Sequence, residues 1–171
     1  MRSLRIFFVF MAAAAVTTGL PFPAPASEEA WDTRTDFKFL ELQRELRDDP
    51  RGPHSRANLF AVGEYYFHEN DPEQAAEHFR RFGPSDPQDP EDLVAMVYLV
   101  RCAVLAKDVE TASALEKKLQ DALSSKHFFV SFDEKHVQPW NSPLGNRFDF
   151  RESVDRLEIL INGSPFYTIN L

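Results

Sequence analysis

Apolar residues change their period once along this chain, and that change restricts the fold more than any compositional figure. From Phe37 to Leu123 they recur at intervals of three and four, the spacing of helices packed on one side. After Ser125 the spacing shortens to two. Phe128, Val130 and Phe132 alternate with Phe129, Ser131 and Asp133, as in a strand buried on one face. Helices gathered first and strands gathered last specify an α+β chain, with a helical layer and a small antiparallel sheet.

Punctuation divides the helical part into about five pieces. A first helix is expected from about Thr33 to Arg47, stopped by Asp48-Asp49-Pro50-Arg51-Gly52-Pro53. Ser55 is the expected N-cap of a second, running to Glu69. Asp71-Pro72 with Gln74, and again Asp89-Pro90, place a capping carboxylate before a proline that fits the first helical turn. They open a third helix to about Phe82 and a fourth to about Ala106. The fourth is apolar on nearly all sides, so it is expected at the centre. A fifth follows from Val109 to Leu123. Beyond residues 126–138, Pro139 to Asn146 reads as loop and Arg147 to Arg151 as a strand. Asn162-Gly163 joins Arg156–Ile161 to Ser164–Asn170 as a hairpin, because a type I′ turn needs positive φ at both central residues. A plain two-residue turn puts Ile159 opposite Phe166 and Leu157 opposite Thr168, with Tyr167 on the other face. Asn162-Gly163-Ser164 also matches a glycosylation acceptor, but the tight turn accounts for it.

The first 26 residues have the pattern of a signal peptide. Arg2 and Arg5 precede the apolar run Ile6–Val16, and Gly19, Pro21, Pro23 and Ala24-Pro25-Ala26 follow. Cleavage after Ala26, with periplasmic or secreted localisation, is the expectation; retention as an anchor is the alternative. Removal of this segment leaves 17 basic and 27 acidic residues, a net charge of −10. Such a surface is a poor partner for nucleic acid, which needs a basic footprint, and for anionic membranes. No later stretch is long and apolar enough to span a bilayer. The single cysteine, Cys102, cannot form an internal disulfide and sits in an apolar stretch, as a buried structural thiol would.

Residues 56–89 carry a helical-hairpin pattern. Leu59, Val62, Gly63, Tyr66, Ala75, Phe79 and Pro87 stand as large, apolar, small, aromatic, small, aromatic and proline positions. The small residues suit a close crossing of two helices, and the aromatics fill the space around it. This stretch resembles the tetratricopeptide repeat, whose length is about 34 residues. Residues 90–123 form a degenerate second unit in which Glu116 replaces the expected aromatic. The resemblance covers about residues 55–124 and leads to the expectation of a TPR-like helical domain over residues 27–125. Fewer than three full repeats leave apolar end faces open. The first helix and residues 126–171, a β-hairpin or meander segment outside the resemblance, are therefore expected to pack on it as covers.

Chemistry is sparsely signalled. His68-Glu69 begins like a zinc-protease helix, but Pro72 stands where the second histidine belongs. His54, His68, His78, His127 and His136 read as solvated, and neither a metal site nor a cofactor is expected. There is no phosphate-cradling glycine loop and no G-x-S-x-G elbow. The expectation is therefore a scaffold or adaptor protein of the cell envelope that binds a protein or peptide, and not an enzyme. The resemblance implies contact through the concave face, carried here by Ala57, Phe60, Glu64, Phe67 and His68. The bland alternative buries Phe60 and Phe67 under the first helix. Trp140, in a proline-bounded loop, is either a further anchor for a partner or a staple holding the loop to the sheet. A second functional class is a structural accessory that binds through its C-terminal sheet, and a more distant one is a hydrolase without a recognisable motif.

Overall fold

The computed structural model describes residues 33–124 and 139–171. The signal-like segment and the strand expected at Phe128–Phe132 lie outside them. Five helices come first: α1 (Thr33–Asp48), α2 (Ser55–His68), α3 (Pro72–Phe82), α4 (Pro90–Leu105) and α5 (Val109–Ser124). Four strands follow: β1 (Trp140–Asn141), β2 (Arg147–Glu152), β3 (Arg156–Ile161) and β4 (Ser164–Asn170). They form one antiparallel sheet in the order β1-β2-β3-β4.

The caps act as the sequence specifies. Asp71 accepts the amide of Gln74 at 3.0 Å, and Asp89 accepts those of Glu91 and Asp92 at 3.0 and 3.1 Å. Asp108 does the same for Thr111 at the start of α5. Ser55 is already helical. The residue before it, His54, makes no side-chain cap bond, so this helix starts one position early. Gly83 ends α3 at φ 71°, where a side chain would be strained.

α2 and α3 pack as an antiparallel hairpin, with Gly63 against the ring of Phe79: a Cβ on Gly63 would lie 3.1 Å from it. The glycine thus makes room for that ring. α4 is buried along most of its length, from Asp92 through Cys102 and Ala103. Asp92, itself buried, pairs with Arg56 and accepts the amides of Ser85 and Asp86 at 2.8 and 2.9 Å. It thereby ties the proline-rich connector and α2 to the start of α4. On the far side of α2, Phe39 of α1 stacks on Tyr65 at 3.7 Å, and Gln43 donates to the Tyr66 hydroxyl at 2.9 Å.

In the hairpin, Asn162 and Gly163 both have positive φ, 50° and 80°. The register differs from a plain ladder. Ile161 faces Ser164 and Leu160 faces Pro165, but Ile159 then faces Tyr167, so Leu157 pairs with Ile169 and not Thr168. Phe166 is the extra residue of a bulge. Pro165 has no N–H to give the ladder, which favours a break beside it. The bulge turns Phe166 into the core and brings the Tyr167 hydroxyl to Glu116 of α5, 3.1 Å away. Trp140, expected in a loop, belongs to β1 and pairs with Phe148.

Candidate functional site

α2 carries an unbroken run of buried residues from Asn58 to Glu64, followed by Phe67. A helix buried on so many sides must be covered by more than its hairpin partner, and the sheet supplies the cover. Phe60 lies edge-on to Trp140 at 4.9 Å, to Phe79 at 5.4 Å and to Tyr98 at 6.0 Å. Phe67 meets Tyr98 at 4.9 Å and Phe166 at 6.4 Å. Tyr98 also stacks on Phe79 at 4.7 Å and touches Phe148 and Phe166. These rings form one aromatic core between helices and sheet.

A single carboxyl sits inside it. Glu64 is fully buried, and its Oε1 accepts the Tyr98 hydroxyl at 3.2 Å and the Asn146 amide at 3.0 Å. Its Oε2 has no hydrogen-bond partner among the described residues. Burial pushes the Glu64 pKa from 4.5 up to about 7, against the pull of the nearby Ser142 hydroxyl, the Asn146 and Tyr98 hydrogen bonds and the more distant charge of Lys38. The same loop is held elsewhere. Ser142 Oγ accepts the Asn146 amide, Asn162 Nδ2 donates to the Asn146 side chain, and Lys38 of α1 donates to the Pro143 carbonyl. The β1–β2 turn is thus clasped to α1, α2 and the β3–β4 turn together.

One turn beyond Glu64 on the same helix lies His68. It is half-buried, not solvated as its polarity suggests. Desolvation, with a smaller push from the positive charge of Arg101, lowers its pKa from 6.5 to about 4. Arg101 itself lies over Phe67 at 5.0 Å and Phe166 at 4.4 Å. Cys102 is buried, and burial pushes its thiol up to about 12, far from a reactive thiolate.

The concave-face residues are therefore brought together, but not as an open groove. Phe60 and Glu64 are 0% exposed and Phe67 is 9%. What covers them is the chain's own sheet and α4, not α1. Trp140 holds its loop onto that core through Phe60 and Phe148. Sequence reasoning passed over Tyr98, Ser142 and Asn146, and assigned Glu64 to a wet surface. A signal was present. Glu64 and Tyr98 are polar groups inside the apolar stretches 59–67 and 93–100, and such groups seek each other when both are buried.

Chemically, this cluster can hold a proton and lock two layers together. With Glu64 fully enclosed, no substrate touches it in this arrangement. Among the described residues no three His, Cys, Asp or Glu side chains come together as a metal site. Comparison with family models, with curated proteins and with solved structures finds no match.

Proposed function

We propose that the chain is an exported, non-enzymatic adaptor built on TPR-like helical hairpins, and that it meets a protein partner on the outer face of α1. The observation that supports this is the exposure of two large apolar side chains one turn apart. Phe37 is 74% and Leu40 61% exposed, while Phe39 and Leu46 on the same helix are buried. An apolar stripe left in water on an end helix of a stacked layer suits a partner surface. Beside it, Gln43, Leu46, Arg47, His78 and Arg81 line an open cleft of about 340 Å³ between α1 and α3. Arg47 and Arg81 would favour an acidic rim on whatever docks there. The inner face, with Phe60, Glu64 and Phe67, serves as core in this reading. No described helix is long and apolar enough to cross a membrane, and export rests on the pattern of residues 1–26.

The test is a paired capture. Wild type and the Phe37→Ser/Leu40→Ser double variant are used as bait for an envelope fraction, and the retained proteins are quantified. Both side chains are solvated, so the variant should keep its thermal midpoint within a few degrees. It should lose the proteins that wild type retains. Equal retention by both baits would refute the outer-face assignment.

A further inference from the structure

Arg101 is held in an unusual setting. Its guanidinium carbon is 5.0 Å from the Phe67 ring centre and 4.4 Å from that of Phe166, and those two centres are 6.4 Å apart. The three distances place the cation in the corner between two rings that lie at 70° to each other. Half-buried there, it makes no ion pair and no hydrogen bond with the described residues and lies against the two rings. The groups that act on its charge, Tyr98, Cys102 and Tyr167, have pKa values raised by burial, and that of His68 nearby is lowered, so all four are neutral near pH 7. Yet the chain is rich in acids, 27 against 19 bases. Arg56, Arg147 and Arg156 each have a carboxylate of their own.

Desolvating a guanidinium without a counter-charge is costly, and proteins ordinarily pair such a group. Ring contacts use the π-faces and leave the N–H fork unspent. A fork fixed by two aromatic walls is already oriented, so little rotamer freedom remains to be lost on binding. The planar group whose two oxygens match that fork is a carboxylate.

We propose that Arg101, at the junction of α2, α4 and β4, is the centre of a carboxylate-binding site walled by Phe67 and Phe166. It is independent of the outer face of α1. The occupant is the carboxylate of a small organic acid or the free C-terminus of a partner chain. His68, one residue from Phe67 and within the field of Arg101, stands beside it and reports on occupancy.

The probes are sodium acetate, a tetra-alanine peptide with a free C-terminus, and the same peptide amidated. They are titrated into the whole chain while the Arg Nε–H and His ring signals are followed by NMR. Acetate or the free peptide should shift the Arg101 and His68 signals saturably, and the amide should not. Tighter binding of the peptide than of acetate identifies a chain terminus; the reverse identifies a small acid. Arg101→Lys, which keeps charge but loses the fork, should weaken binding about tenfold. Arg101→Met should abolish it with an unchanged circular dichroism spectrum. Should the Met variant misfold, the Lys variant alone decides. No saturable shift, the same shift from sodium chloride at equal ionic strength, or undiminished binding by the Lys variant would each overturn the assignment.

Discussion

Replacing Glu64 by glutamine should make the protein more stable above pH 7 and expose a pH dependence that wild type conceals. The folded pKa of Glu64 is about 7 against an ordinary 4.5. A raised acid contributes stability that is complete below pH 4.5 and lost as pH rises through 7. At about 1.4 kcal/mol per pKa unit, the loss is on the order of 3 kcal/mol. His68 works in the opposite direction. Its folded pKa is about 4 against 6.5, so its contribution is complete above pH 6.5 and lost as pH falls through 4. The two slopes overlap between these values and nearly cancel, so wild type should be almost flat from pH 4.5 to 6.5. Glutamine removes one slope and keeps the shape of the site. Its carbonyl can replace Oε1 before Tyr98 and Asn146, and its amide can occupy the place of Oε2, where no donor is displaced. Urea unfolding followed by circular dichroism at pH 5, 6.5 and 8 measures the effect. Glu64→Gln should gain about 1–3 kcal/mol over wild type at pH 8, the lower bound allowing for an unpartnered amide. It should also become more stable from pH 5 to 6.5. A variant weaker than wild type at pH 8, or parallel to it at all three values, would show that Glu64 is not a buried acid of raised pKa.

Two further variants test the core. Phe60→Ala should cost about 4 kcal/mol of unfolding free energy, because it removes a fully buried ring in contact with Phe79, Phe82, Tyr98 and Trp140. A loss below about 1 kcal/mol by urea titration would return this residue to the surface. Asp92→Ala should cost about 2 kcal/mol, since it removes a buried carboxylate that pairs with Arg56 and accepts the Ser85 and Asp86 amides of the connector. Proteolysis should then begin between Gly83 and Pro90, and an unchanged cleavage pattern would count against the clasp.

Much of this architecture was written locally. The five helices declare themselves by apolar spacing and by Asp71-Pro72 and Asp89-Pro90, whose capping bonds form between residues two or three apart. The Asn162-Gly163 turn is equally local. The β3–β4 register was not, because the bulge at Phe166 depends on what lies beneath it. The fate of Phe60, Glu64 and Phe67 was hidden for the same reason. Their place on one face of α2 is legible, but whether that face is wet depends on Trp140, Asn146 and Phe166, far along the chain. Periodicity says which side chains want cover and not which segment provides it. Burial of His68 follows the same rule, since its polarity says nothing about what packs around it.

The bond between Glu64 and Asn146 joins residues 82 positions apart. A polypeptide made from its N-terminus completes all five helices before the last strand exists. Until the sheet forms, the rings of Phe60 and Phe67 have their neighbours on α3 and α4 but lack Trp140 and Phe166. The nascent chain therefore passes through a stage with a partly open aromatic strip, and it is at this stage that a chaperone would find a handle. Removal of the sheet, residues 139–171, would prolong that stage and give a helical fragment prone to self-association.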